Sequence, residues 1–228
     1  MRRSNDTMPA CLTCLPGEAP IPVYHITHLE NLAEIMRVGA LLPDNLCAAF
    51  GIIYQRIGQF EIKEKRRSFL VKVEPYGCIG DYVPFYVAPR SPMLYKINKG
   101  SVVGYNGGQD NIIYIVSSLN SIYNAGLAVV FTDGQANHMH TTHFNDPRLI
   151  GAKIDWAVMR AKIWKDTESD PQRKRKRQAE VLVHGRFPWE LVEGIAARTD
   201  MVAARVEAVL KGAGRRAPPV VTRPGWYY

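Results

Sequence analysis

Five cations, Arg173, Lys174, Arg175, Lys176 and Arg177, run directly into Gln178-Ala179-Glu180 and then Val181-Leu182-Val183. A short β-branched, apolar run reads as a strand over residues 179–183. Side chains alternate along a strand, so Gln178 and Glu180 project to the same side. One amide and one carboxylate then stand side by side at the foot of a basic loop. A carboxylate can take a proton or stabilise a developing cation, whereas an amide orients a neighbour without deprotonating it. The plainer alternative is a solvated charge run followed by an ordinary edge-strand glutamate.

Other residues carry chemical potential in weaker patterns. His25 lies where Ile21-Pro22-Val23-Tyr24-His25-Ile26-Thr27, a strand, hands over to a helix. It is either a hydrogen-bonded, half-buried histidine or the neighbour of a ligand. Glu61-Ile62-Lys63-Glu64-Lys65-Arg66-Arg67 reads as a charged helix whose glutamates pair with Lys65 and Arg66 along one face. Arg90 sits between two prolines, close to the aromatic stretch Asp81-Tyr82-Val83-Pro84-Phe85-Tyr86-Val87. Arginine among aromatics suits stacking and phosphate contact with a single strand, and suits plain loop packing as well. His138, His140 and His143 have no acidic or cysteine ligand beside them, so a surface or nucleotide-contacting loop is expected and no metal. Cys11 and Cys14 form one Cys-x-x-Cys pair, with Cys47 and Cys78 far away, which favours reduced thiols over a zinc site. Gly104, Gly107 and Gly108 lack the spacing of a dinucleotide-binding turn.

These groups need a scaffold. The 228 residues suffice for one domain with a substantial core, and 46% hydrophobic with 22% charged residues is ordinary globular composition. The charge balance is less ordinary. Lys and Arg number 29 against 21 Asp and Glu, a net +8 that suits a polyanionic partner. No apolar run approaches membrane-spanning length, and the N-terminus lacks a secretory pattern.

Residues 1–20 read as an irregular extension and residues 21–228 as one domain. After the first strand a helix is expected over residues 29–38, with Thr27 as cap and Gly39 as stop. Residues 40–60 read as loop, 68–73 as a strand, and 92–95 as the start of a short helix. Residues 111–118 and 127–132 are apolar strands, with a short helix over 119–125 between them. That interval is too short for a full crossover, which points to an α+β arrangement. Residues 154–164 are expected to form an amphipathic helix, 191–197 a strand, 201–211 a helix ending at Gly212, and 218–228 an extended tail.

Several segments together resemble one family. They are Tyr24-His25-Ile26-Thr27-His28 with Asn31-Leu32, Glu64-Lys65-Arg66-Arg67, Asp81-Tyr82-Val83-Pro84-Phe85-Tyr86 and Arg90-Ser91-Pro92-Met93-Leu94-Tyr95. Phe131-Thr132-Asp133, Gln178-Ala179-Glu180 and Gly225-Trp226-Tyr227-Tyr228 complete the set. In this order they resemble the DarT toxins, bacterial NAD-dependent DNA ADP-ribosyltransferases paired with a macrodomain antitoxin.

The resemblance implies an ADP-ribosyltransferase fold, a split mixed β core with flanking helices, and NAD+ as co-substrate. It implies transfer to thymine in single-stranded DNA, with Glu180 and Arg66 as catalytic residues. His25, Ile26, Thr27, Asn31, Leu42 and Arg66 are implied to hold NAD+. Arg90, Ser91, Pro92, Met93, Leu94 and Tyr95, with Lys165, Arg173, Lys174, Arg175 and Gln178, are implied to contact DNA. Arginine-modifying transferases carry a second glutamate two residues before the catalytic one; Gln178 stands there and disfavours an arginine target. A cytoplasmic bacterial monomer is expected. The alternatives are a basic single-strand-binding module without catalysis, or transfer to guanine, RNA or protein.

Overall fold

A computed structural model of the chain describes residues 21–228. The expected irregular extension, with Cys11 and Cys14, lies outside the described residues. The strands are β1 (Pro22–His28), β2 (Ala40–Leu41), β3 (Tyr82–Tyr86), β4 (Ile112–Ser118), β5 (Val129–Thr132), β6 (His143–Phe144), β7 (Glu180–His184), β8 (Phe187–Pro188), β9 (Gly194–Ala197) and β10 (Val220–Thr222). One sheet runs in the order β10-β9-β4-β1-β3-β7-β5-β6, and β2 pairs separately with β8. The pairings in the large sheet are antiparallel except for β9 with β10, so the core is the mixed α+β arrangement expected.

Alternation along the strands divides the interior between the two sheet faces. Val23, Val83, Phe85, Ile113, Ile115, Val181 and Val183 belong to one buried cluster, and Tyr24, Ile26, Ile112 and Tyr114 to another. The helix Asp200–Gly212 covers the first face with Val202, Val206 and Leu210, a stripe at helical spacing. The Thr199 hydroxyl starts it by accepting the Val202 N–H.

The sheet is continuous in order but weakly joined at its middle. β1 pairs with β4 from Pro22↔Ser118 through His28↔Ile112. β3 pairs with β7 from Tyr82↔His184 through Tyr86↔Glu180. β1 and β3 meet at Tyr24↔Tyr86 alone. Beyond that point the ladder stops, and the His25 ring fills the gap by donating Nδ1–H to the Pro84 carbonyl at 2.9 Å. In an antiparallel strand a residue's nitrogen and carbonyl face the same neighbour. The nitrogen of Pro84 therefore faces the split, where a missing donor breaks no ladder bond. The expected split core has this cause.

Several elements depart from expectation. The first helix breaks into a 3₁₀ turn, Leu29–Asn31, and an α-helix, Leu32–Val38; His28 Nδ1, not Thr27, accepts the capping N–H, from Glu30. Gly39 ends it at φ 75°, as expected. Residues 40–60 hold the helix Asp44–Ala49 as well as β2. No strand forms over 68–73, because the helix Phe60–Ser68 runs into it and only Leu70 bridges to Cys78. The helix expected over 154–164 shortens to Trp156–Arg160, and Trp164 turns away to donate its indole N–H to the Tyr228 hydroxyl at 2.9 Å. The strand expected over 191–197 begins only at Gly194, after a 3₁₀ turn. The C-terminal residues are not a tail. β10 adds parallel to β9, and buried Tyr227 donates to the Ile112 carbonyl at 2.8 Å.

Candidate active site

Glu180 opens β7 and does not lie on a sheet edge, since β7 runs between β3 and β5. The strand starts one residue later than expected, so Gln178 precedes it. It hangs instead from the turn after the short helix Arg173–Lys176, with its N–H on the Arg175 carbonyl at 3.0 Å. Gln178 and Glu180 nonetheless line the same cleft. The Glu180 backbone N–H is held by the Thr132 hydroxyl at 3.0 Å, which itself donates to the Gly134 carbonyl at 2.7 Å. Gly134 has no side chain for good reason: a Cβ there would run into the Arg175 side chain and carbonyl.

The carboxylate of Glu180, with its side chain 4% exposed, accepts three donors. Arg66 Nη1 reaches Oε1 at 2.9 Å and Nη2 reaches Oε2 at 2.7 Å; the Ala136 N–H reaches Oε1 at 3.0 Å. A planar guanidinium matches a carboxylate in this fork, a charge-assisted geometry that lysine cannot copy. Burial alone would lower the Arg66 pKa, but the Glu180 charge and hydrogen bonding, with Tyr86 and Asp44, together outweigh it and leave the pKa raised. Arg66 therefore stays cationic. The pairing expected within its own helix falls to Arg67 with Glu64, at 3.5 Å. Tyr86, opposite Glu180 on β3, lines the same space and donates its hydroxyl to Met93 Sδ at 3.7 Å. Burial, with Glu180 adding to it, raises the Tyr86 pKa, so the phenol stays protonated.

The cleft, about 330 Å³, opens where β1 and β3 part. His25, Ile26 and Thr27 form one wall, and Pro84, Phe85 and Tyr86 another. Burial lowers the His25 pKa to about 4. With Nδ1–H spent on Pro84, the neutral ring keeps a lone pair on Nε2. Residues 42–59 contribute much of the cleft lining and are fastened at several points: Asn45 donates to Asp81 at 2.7 Å, Gln59 accepts from Lys96 at 2.8 Å, and Asn31 and Lys63 make further ties. Asn31 Oδ1 accepts the Gln55 N–H at 2.7 Å, and its Nδ2 donates to the Gln55 carbonyl and the Thr27 hydroxyl, both at 3.0 Å. Asp44 accepts from Lys63 at 3.0 Å and from the Tyr54 hydroxyl at 2.8 Å. Burial pushes the Asp44 pKa up, but these partners more than offset it and hold it below the usual carboxylate value.

A family model described as ssDNA thymidine ADP-ribosyltransferase, DarT, matches residues 24–228. The chain belongs to the DarT family. A DNA ADP-ribosyl transferase of Thermus sp. (strain 2.9) is 40% identical over 210 residues, covering 92% of this chain and 97% of that protein. The solved Thermus sp. 2.9 DarT in complex with ADP-ribosylated ssDNA superposes with a TM-score of 0.86 at 41% identity, over 92% of this chain and 97% of that one. The same Thermus DarT in complex with NAD+ gives 0.81 at 38% identity, over 92% and 99%. A DNA ADP-ribosyl transferase–DNA ADP-ribosyl glycohydrolase fusion protein of Thermosipho africanus is 23% identical over 206 residues, and this chain spans 49% of its length. The fold is thus the ADP-ribosyltransferase fold of DarT proteins.

Against the DarT pattern, the cleft gathers His25, Ile26, Thr27, Asn31, Leu42, Arg66, Pro92, Met93, Lys174, Gln178 and Glu180. The other expected DNA-contacting residues do not line it. Leu94 is fully buried in the second core cluster, and Ser91 is buried with its hydroxyl accepting the Leu94 N–H as a helix cap. These two serve the fold, because a strand arriving from solvent cannot reach them. Arg175 is spent internally, with Nη1 at 2.9 Å from Asp133 and 3.1 Å from the Thr141 hydroxyl. Arg173 donates to the Ile163 carbonyl. The basic run is therefore partly structural: Lys176 joins Asp155 and Asp170, and buried Arg177 donates to the Val158 and Pro89 carbonyls. Arg90 adopts a left-handed φ of 58°, and its guanidinium stacks 4.6 Å from the Tyr228 ring centre. Tyr95 packs edge-on against Trp164 and Tyr228, and Lys165 is exposed nearby in sequence.

Sequence reasoning missed Asp44, Tyr54, Lys63, Tyr86 and Gln135 as cleft residues. Tyr86 lay inside a motif already singled out. Asp44 and Tyr54 carried no local signal, since they fell in a stretch read as loop. The histidine loop also divides: His138 and His140 lie near the surface with tilted rings, centres 5.5 Å apart, while His143 is buried. Among the described residues no group of three His, Cys, Asp or Glu is arranged to hold a metal, and no helix is long and apolar enough to cross a membrane.

Proposed function

We propose that the chain transfers ADP-ribose from NAD+ to thymine in single-stranded DNA, releasing nicotinamide. The observation that carries this reading is the Arg66–Glu180 fork on a cleft at the sheet split, in a chain of the DarT family. The ribose carbon of NAD+ gains cationic character as its bond to nicotinamide breaks. Glu180 stabilises that charge. A carboxylate has about four acceptor positions. Two on Oε1 and one on Oε2 are taken, which leaves one Oε2 position open to the substrate.

In thymidine the N1 atom carries the deoxyribose, so N3 is the ring nitrogen left to form the new bond. Its proton leaves to the open Oε2 position and then to water, while nicotinamide departs with the bonding electron pair. Arg66 holds the carboxylate and offers its unused N–H groups to a phosphate oxygen or to the deprotonated imide. It is not the base, because a guanidinium keeps its proton at neutral pH. N3 is occupied in base pairing, which is why the substrate is a single strand. Gln178 orients the thymine, and His25, Ile26, Thr27 and Leu42 hold NAD+. Lys174, with Arg90, Met93 and Tyr95, guides the strand.

The Thermosipho fusion joins a transferase to a glycohydrolase in one chain. That supports a partner that removes the modification, and we place this chain as the toxin of a pair with a macrodomain antitoxin, working as a monomer in the bacterial cytoplasm. The test is mass spectrometry of thymine-containing and thymine-free oligonucleotides after incubation with NAD+. One added ADP-ribose is expected on the thymine oligonucleotide alone, and none with Glu180→Ala. Equal modification of both oligonucleotides would remove the thymine assignment. A gel shift without added mass would leave only binding.

A further inference from the structure

We propose that His143 is a positioning residue for the transfer reaction, holding in place the backbone N–H that Ala136 presents to Glu180. This rests on Glu180 being the catalytic carboxylate. His143 opens β6, at the end of the loop that returns from β5, and is buried. Its Nε2 lies 2.9 Å from the Ala136 carbonyl, so Nε2 carries the proton and donates it. Its Nδ1 accepts the Lys72 N–H at 3.2 Å. The same Ala136 residue donates its own N–H to Glu180 Oε1 at 3.0 Å.

One imidazole thus ties together two segments that flank the ion pair. Lys72 lies just after the helix that carries Arg66, and Ala136 lies in the loop that faces Glu180. The Ala136 peptide is gripped at its carbonyl end, which fixes the direction of the neighbouring turn and of the N–H aimed at the carboxylate. Catalytic geometry of this kind must be held to within a fraction of an ångström by groups that do not touch the substrate.

Only the neutral Nε2–H form meets both partners. A doubly protonated ring would set Nδ1–H against the Lys72 N–H. The charged groups facing His143 are Lys72, Glu180 and Asp133, and the Phe69 ring packs against it. Burial foremost, helped by Lys72, lowers its pKa below the free value and keeps the ring neutral through the neutral range.

The test compares three substitutions by kcat and KM for transfer to a thymine oligonucleotide, with unfolding followed by circular dichroism. The Gln Nε2 sits where the His Nε2 does and keeps the donor to Ala136. The Asn Oδ1 sits where Nδ1 does and keeps only the Lys72 contact. His143→Ala and His143→Asn are expected to lower kcat by about tenfold to a hundredfold, since removing one preorganised donor outright costs roughly 10²–10³. Their KM for NAD+ should change by about twofold or less. His143→Gln is expected within about threefold of the native kcat at neutral pH. The proposal is overturned if Gln is as impaired as Asn, if Ala leaves kcat unchanged, or if the loss in Ala and Asn falls on KM rather than kcat. Should Ala fail to fold, the Gln–Asn comparison decides. An inactive native protein would instead strike at the proposed function.

Discussion

Arg66 and Glu180 are 114 residues apart in the chain and meet through two parallel hydrogen bonds, Nη1 to Oε1 at 2.9 Å and Nη2 to Oε2 at 2.7 Å. The pair joins the helix Phe60–Ser68 to the first residue of β7, across the cleft that opens where β1 and β3 part. It leaves the carboxylate oriented and largely saturated. Each partner therefore has a structural part beside the chemical one proposed above, and substitutions should separate the two.

Glu180→Gln keeps the shape and removes the charge. Transfer to a thymine oligonucleotide should fall by about 10³ or more, as for loss of a main catalytic group. The melting temperature should also fall, because Arg66 is left as a poorly solvated cation without its counter-charge. Mass spectrometry and a thermal melt read these separately. Retention of a tenth of native activity would end the assignment of Glu180 as the reacting carboxylate.

Arg66→Lys retains a positive charge but cannot span both carboxylate oxygens. Single-turnover transfer should drop by about tenfold to a hundredfold, while affinity for a thymine oligonucleotide changes little. A loss of DNA affinity as large as the loss of rate would move Arg66 from the chemistry to strand binding.

Asn31 was expected among the cofactor ligands, yet its amide is occupied by Gln55 and Thr27. Asn31→Ala should loosen the cleft-lining segment at Gln55, while its ties at Asp44, Asn45 and Gln59 remain. With about 1 kcal/mol for each net hydrogen bond, KM for NAD+ should rise by roughly tenfold or more while kcat stays within a few-fold. Unchanged KM in steady-state kinetics would show that the segment is held without Asn31.

The half-buried, neutral His25 makes stability depend on pH. Its folded pKa of about 4 lies below the free histidine value of 6.5. Below that free value the unfolded chain binds a proton that the folded chain refuses. Stability is thus lost as pH falls from about 6.5 to about 4, by up to about 3 kcal/mol, and no further from this group below that. Urea unfolding at pH 7 and pH 4.5 should show a smaller acid loss in His25→Asn than in the native protein. Equal losses would mean that other groups govern acid unfolding.

Tyr227 tests the C-terminal packing alone. Its buried hydroxyl donates to the Ile112 and Ala196 carbonyls, joining the C-terminus to β4 and β9. Tyr227→Phe should cost about 1–2 kcal/mol and leave transfer unchanged at temperatures where the protein stays folded. Tyr227→Ala should cost about 3–5 kcal/mol. Denaturant melts check both; a neutral Ala variant would show that these last residues do not brace the sheet.

The amino-acid sequence by itself determined several strands of the sheet, because the short β-branched and aromatic apolar runs in residues 21–27, 111–118 and 179–183 favour extended backbone. It also determined the spacing that links Gln178 to Glu180, and the order of motifs that marks the family. Three decisions belonged to the tertiary structure. Which glutamate meets Arg66 was decided by β7 lying between β3 and β5, whereas local spacing pointed to the glutamates of Arg66's own helix. Which cations remain free was decided by carboxylates and carbonyls outside the run itself: Ile163, Asp133, Asp155, Pro89 and Val158 engage four of the five in the basic run. The part played by His143 was likewise invisible in a loop of three histidines, since its partners Lys72, Ala136 and Glu180 are assembled only by folding. Periodicity is a property of neighbours along the chain and can be read there. Charge pairing and hydrogen-bond saturation are properties of neighbours in space, so they appear only once β1 and β3 have separated and the cleft between them exists.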